Sequence, residues 1–130
     1  MRPLKHCKWR LLAHRSVADR LTSAFIRSRL RLKALTCLVK IAQDEKLEKE
    51  YVRRYFLLMS GGVQDAAYSI RKEYITRLIQ CLAPLKLPYH YNVFMFLAAH
   101  EPEPENISKV QIYVRSMFHR QPPSEWTRIV

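Results

Sequence analysis

The chain has 130 residues and carries 23 Lys and Arg against 11 Asp and Glu, a formal net charge of +12 and a pI near 10.0. With 48% apolar residues it can bury a core, which argues against wholesale disorder, and 2 Gly with 7 scattered Pro exclude collagen-like and linker-type chains. It has no apolar run of about 18 residues that could cross a bilayer, and Cys7, Cys37 and Cys81 are too few and too far apart for a disulfide framework, which points to a reducing compartment.

The charge is concentrated at one end. Residues 1–40 carry 11 basic side chains and one acid, Asp19. A first helix is expected near 8–25, and Lys8, Arg10, Arg15, Arg20, Arg27, Arg29 and Lys33 form a candidate surface for an acidic partner or for DNA. The stretch from Met1 to Ala18 is Arg-rich and free of acids, as presequences are. Serine is sparse there, however, and the basic character continues to Lys33, inside a segment with helical periodicity.

The next helix is expected over 29–42, with Leu30, Ala34, Leu35, Leu38, Val39 and Ala42 on its apolar face. Tyr51, Val52, Tyr55, Phe56 and Met59 predict a helix over 48–59, with Gly61-Gly62 as its stop. Asp65 suits the N-cap region of a helix over 68–82, whose apolar face is Ile70, Tyr74, Ile75, Leu78, Cys81 and Leu82. Pro84 ends it. Pro88 then fits the first turn of a helix over 89–100, and the run from Tyr91 to Ala99 is apolar almost all round, so most of that helix should be buried. Pro102 and Pro104 break the chain in an acidic turn. A last helix over 106–119 carries Ile107, Val110, Val114, Met117 and Phe118, and Pro122-Pro123 close it. No segment alternates with period two for long enough to predict a sheet.

The pattern falls on itself when the sequence is shifted so that Leu30-Arg31 lies over Ile70-Arg71. The same overlay puts Leu35 over Ile75, Thr36 over Thr76, Leu38 over Leu78, Tyr51 over Tyr91 and Phe56 over Phe96. A period of roughly 40 residues with two helices per unit is the signature of HEAT or armadillo arrays, in which each helix pair buries its apolar face against the next. The expected fold is therefore all-α, a HEAT/armadillo-like α-solenoid segment of about three helix pairs. A non-repeating helical bundle is the alternative. Residues 1–26 read as a basic N-terminal helical segment, 27–120 as the repeats and 121–130 as a tail. Arg31, Asp65 and Arg71 read as structural repeat positions, with the acid and the arginine tying neighbouring turns together.

Groups that could carry out chemistry are few. The cysteines form no Cys-x-x-Cys pair, and His6, His14, His90, His100 and His119 do not space like zinc ligands. Cys37 and Cys81 fall on apolar helix faces, as small core residues do. Gly61-Gly62 lacks the Lys and Ser/Thr of a phosphate loop. No acid, base or nucleophile cluster can be named, so neither catalysis nor a cofactor is expected. Tyr89, Tyr91, Phe94 and Phe96 sit at helical spacing and read as core rather than as base-stacking platforms.

The stretch from about Arg29 to Arg115 resembles the sister chromatid cohesion proteins of the Pds (precocious dissociation of sisters) family. The residues that carry this are Leu30 to Ala42, Val63-Gln-Asp65, Tyr68-Ser-Ile-Arg-Lys72, Leu87-Pro88 and Phe96-Leu-Ala-Ala-His-Glu-Pro102. The resemblance implies a slice of a long nuclear, chromosome-associated HEAT-repeat scaffold that is not an enzyme. It also implies binding to the cohesin ring through its kleisin subunit, together with other cohesin regulators. A basic nucleic-acid-binding module is the other reading of the same chain.

Overall fold

The computed structural model describes residues 17–120. It is helical throughout, and no strand is found among these residues. Helix α1 is Val17–Ile41. Helix α2, residues 45–60, is irregular: an α turn Glu45–Leu47, a π turn Glu48–Val52, a 3-10 turn Arg53–Tyr55 and an α segment Phe56–Ser60. A 3-10 turn, Gly61–Gln64, leads to α3, Tyr68–Leu82. Helix α4, residues 89–100, joins a 3-10 turn Tyr89–Asn92, an α segment Val93–Leu97 and a 3-10 turn Ala98–His100, and α5 is Pro104–Arg120. This is an all-α solenoid segment: α2 with α3 and α4 with α5 are two helix pairs, and the end of α1 repeats the burial pattern of α3 and α5.

The chain divides into two compact units, Met1–Arg31 and Leu32–Val130. Of the first, the description covers the start of α1, where Ser28 Oγ donates to the Ala24 carbonyl at 3.0 Å and Phe25, Ile26 and Leu30 are exposed. Two helices near 8–25 and 29–42 were expected; residues 8–16 lie outside the described residues, and from Val17 α1 runs on to Ile41 as one uninterrupted helix. No Gly or Pro falls between Val17 and Ile41, and Leu, Arg, Lys and Ala all propagate a helix well.

The second unit holds the core. Leu32, Leu35, Val39 and Ala42 line it from the end of α1, and all six residues predicted for α3, from Ile70 to Leu82, are buried. Leu30 and Ala34 were expected on the buried face and are exposed instead. Leu30 and Leu32 stand about 200° apart around the helix, and Leu32 is the one turned inward, at 4% exposure against 64%. In α2 Val52 and Met59, seven residues apart and so on one face, are buried, while Tyr51 and Tyr55 to its side are exposed. Helix α4 buries Tyr91, Phe94, Met95 and Ala98, but Phe96 is exposed, so it is less fully enclosed than its composition suggested. Cys81 is buried as expected of a small core residue, whereas Cys37 is exposed.

Burial repeats in a register one position shorter than the overlay read from sequence. Leu35, Tyr74 and Tyr113 are equivalent and all buried, as are Val39, Leu78 and Met117. In the first helices Val52 matches Tyr91 and Met59 matches Ala98. In the longer register, by contrast, exposed Leu30 falls on buried Ile70 and exposed Tyr51 on buried Tyr91. Leu35 with Ile75, Ala42 with Leu82 and Ile70 with Val110 are buried together in the longer register too, but more of the core repeats in the shorter one.

The glycines do not stop α2 in the left-handed conformation, because neither has positive φ. Gly62 is needed for space: a Cβ there would stand 2.5 Å from the Tyr74 ring and 2.8 Å from Leu35 Cδ1. The left-handed residue is Leu85, at φ 60°. The Leu85 N–H donates to the Leu82 carbonyl at 3.0 Å and the Lys86 N–H to the Cys81 carbonyl at 2.9 Å, the paired bonds of a Schellman cap closing α3.

Candidate functional site

The polar groups of this fold divide into ties that hold helices together and an open face on the second helices. The strongest tie is a bidentate pair between α3 and the turn before α5. Arg71 Nε donates to Glu101 Oε2 at 2.8 Å and Nη2 to Oε1 at 3.2 Å, while Nη1 donates to the Asp65 carbonyl at 2.7 Å. The Glu101 side chain is wholly buried and that of Arg71 is 12% exposed. Burial alone would raise the Glu101 carboxyl, but hydrogen bonds from Arg71 and from the Glu103 N–H outweigh it and hold the pKa below the ordinary value. The Asp65 carboxylate accepts from the Ala67 N–H at 2.9 Å, just ahead of α3.

A second buried acid, Glu48, lies in the π turn. Arg53 Nη2 donates to its Oε2 at 2.9 Å, and the Tyr91 hydroxyl and His90 Nε2 stand 3.4 and 3.3 Å from its Oε1. Burial, then the Glu48 charge, pushes the Tyr91 phenol well above its ordinary range. Phe56 packs on Tyr91 and Phe94 with ring centroids 5.4 and 4.8 Å apart, so these aromatics are core. Among the described residues no three His, Cys, Asp or Glu side chains converge as metal ligands, and no helix is long and apolar enough to cross a membrane.

The open face is a shallow basin of about 690 Å³ over α3, flanked by the end of α1 and by α5. Its charged lining is Lys33, Lys72, Arg77 and Lys109 against the single acid Glu73. The burial register places Lys33 and Lys72 at equivalent points of successive second helices. At the rim Glu105 accepts from Tyr68 at 3.2 Å and pairs with Lys72 at 3.0 Å and Lys109 at 3.3 Å. Hydrogen bonds from the two lysines hold the Glu105 carboxyl below its ordinary value, and Glu105 in turn raises the Lys72 ammonium. Next to the basin an open, largely apolar channel of about 360 Å³ lies between α3 and α5, lined by Ile79, Ala83, Ile112 and Tyr113 together with polar residues that include Ser116 and Arg120.

Of the residues singled out from sequence, Lys8, Arg10 and Arg15 lie outside the described residues, and of Arg20 only the helical backbone is described. Arg27 and Arg29 are exposed on α1 in the first unit, and Lys33 lines the basin in the second. Arg31 is exposed, and its Nη2 donates to Ser28 Oγ of its own helix at 3.4 Å. Reading the sequence missed Lys72, Arg77, Lys109 and Ile112. Only the i, i+4 spacing of Glu105 and Lys109 on one helix could have flagged part of this face.

A family model described as "Sister chromatid cohesion protein PDS5 protein" matches residues 9–129. Sister chromatid cohesion protein PDS5 homolog B of Mus musculus and that of Homo sapiens are each 31% identical over 78 residues, 60% of this chain and 5% of theirs. PDS5 homolog A-B of Xenopus laevis has the same identity over the same length, 6% of its own chain. The chain thus spans about a twentieth of the length of these relatives. No solved structure gives a significant match. With helix pairs repeating in one burial register and the family match running over nearly the whole chain, this chain belongs to the PDS5 family of sister chromatid cohesion proteins.

Proposed function

We propose that this chain is a non-catalytic segment of a helical-repeat scaffold that acts in sister chromatid cohesion by binding cohesin subunits, the kleisin among them, other cohesin regulators and chromatin. Its place would be nuclear and chromosome-associated. The observation that carries the reading is the family match over residues 9–129. The structure supports it in one respect: the buried charged groups Arg71, Glu101 and Glu48 are taken up in ties between helices, while the open basin offers exposed charge of the kind a partner surface uses. Within this reading, 1–26 is a basic lead-in, 27–120 the repeats and 121–130 a tail.

The basic residues Lys8, Arg10, Arg15, Arg20, Arg27, Arg29 and Lys33 would face an acidic protein surface or DNA held near cohesin. The net charge of +12 is the observation that favours DNA as a second reading. Titrating salt separates the two. Binding to duplex DNA that rests on phosphate contacts weakens steeply as salt rises. The test of the main reading is binding of the purified kleisin subunit to the full chain on an interferometry surface at physiological salt. Saturable binding that charge reversal at Arg27 and Arg29 weakens supports it. No binding at any concentration, with the chain folded by circular dichroism, contradicts it.

A further inference from the structure

The basin and the apolar channel share a wall. Thr76, Gln80 and Lys109 line both, so a single partner crossing α3 towards α5 meets cationic side chains first and an apolar slot next. Ile112, 69% exposed, forms the outer lip of that slot. At the far end Arg120 Nη1 donates to the Ala83 carbonyl at 2.9 Å. We infer that this face docks an acidic peptide segment that carries one large apolar anchor, the carboxylates lying over Lys33, Lys72 and Arg77 and the anchor side chain filling the channel beside Ile112.

Charge and shape select this occupant. The basin and its rim hold four cations, Lys33, Lys72, Arg77 and Lys109, against the acids Glu73 and Glu105, an excess of positive charge to which an anionic chain is complementary. Glu73 and Glu105 lie on this face and oppose phosphates and peptide carboxylates alike. A duplex fits less well, because a phosphate backbone has no group to bury in an apolar slot. A peptide has both parts, and an apolar anchor in a fitted pocket, rather than the charged rim around it, sets the strength of such an interface. The inference rests on this face alone. It survives or fails independently of any role with cohesin, because the probe below contains no cohesin sequence.

The test uses the full chain and a fluorescein-labelled peptide of alternating Asp and Glu around a central Leu-Phe pair, read by anisotropy. A second peptide has Ser-Ser in place of the pair. The expected result is saturable binding of the first peptide and at least a tenfold weaker affinity for the second, about 1.4 kcal/mol. Ile112→Asp and, separately, Arg77→Glu should each weaken the first peptide by about tenfold. Both side chains are exposed, and an unchanged urea midpoint shows that each variant folds. Leu57→Ser on α2, at an 83% exposed position, should leave binding unchanged. Equal affinity for the two peptides would overturn the inference, as would an Ile112→Asp variant that binds like the parent. So would a duplex oligonucleotide that binds more tightly than the peptide and displaces it. Self-association that Ile112→Asp abolishes, with no peptide binding, would give the face to a second copy of the chain and would also overturn it.

Discussion

Tyr74 and Tyr113 each send a buried hydroxyl from the second helix of a pair to the first helix of the same pair. Tyr74 donates to the Met59 carbonyl at 3.0 Å, and Tyr113 donates to Asn92 Oδ1 at 2.6 Å. The tyrosines occupy equivalent positions in the burial register, and their acceptors lie in α2 and α4. Burial pushes both phenols upward, that of Tyr113 to about 12, so both stay protonated as donors through the neutral range. Leu35 holds the same position in α1, where a side chain without a donor serves.

Tyr74→Phe and Tyr113→Phe should each destabilise the fold by about 1 kcal/mol, since each removes a buried hydrogen bond between the helices of a pair. The two bonds share no partner, so the double variant should lose close to the sum. Urea unfolding of the four proteins measures this. A loss in the double variant far below the sum would mean that the two pairs do not hold separate ties.

The pair between Arg71 and Glu101 predicts a dependence on acid. The Glu101 carboxyl titrates below its ordinary value of 4.5 in the fold. Its stabilising effect is therefore complete above the unfolded pKa and is lost as pH falls through the lower, folded one. Glu101→Gln should cost about 3 kcal/mol at neutral pH, because it leaves the Arg71 guanidinium without its anion. It should also flatten the fall in stability as pH drops below about 5. Arg71→Met combined with Glu101→Leu should recover most of the loss, which a urea series across pH would show.

Leu85 is the described non-glycine residue that holds a left-handed backbone, and its side chain is 68% exposed. The conformation costs an L-residue with a full side chain roughly 1 kcal/mol, and little packing is lost if the side chain goes. Leu85→Gly should therefore raise stability by about 0.5–1 kcal/mol. A lower thermal midpoint in this variant would show that the leucine makes a contact worth more than its strain.

The two candidate repeat registers predict different outcomes in stability measurements. Leu78→Ala should cost about 2–5 kcal/mol, and Val39 and Met117, its equivalents in the shorter register, are buried alongside it. Leu30→Ala should cost less than about 0.5 kcal/mol, although the longer register pairs it with Ile70. A core-sized loss at Leu30 would favour the longer register.

Much of this fold was legible because apolar spacing on a helix records burial directly. Helix α3 falls at 68–82 as its pattern predicts, with all six apolar positions buried. The register of α1 was harder to read. Leu30 and Leu32 are both apolar on nearly opposite faces, so the pattern alone did not decide which one turns inward. In α2 the apolar residues were too many for one face: Tyr51 and Tyr55 border the buried side of Val52 and Met59 and lie at the surface. The ties were legible only in part. Arg71 and Asp65 stood out as structural positions, but Glu101 is 30 residues further along the chain, and only the stacking of helix pairs brings it to Arg71. The basin escaped notice for the same reason: Lys33, Lys72 and Lys109 come from three helices, and charge counted along the chain had pointed to its N-terminal third.

The most direct test places a photo-crosslinking phenylalanine derivative at Thr76, in the floor between basin and channel, and at Leu57 on the exposed side of α2, in the full chain incubated with purified cohesin. The account predicts that the probe at Thr76 cross-links to a cohesin subunit, within an acidic stretch beside an apolar residue, and that the probe at Leu57 does not. Cross-links to cohesin from Leu57 alone, or from neither position, would contradict it.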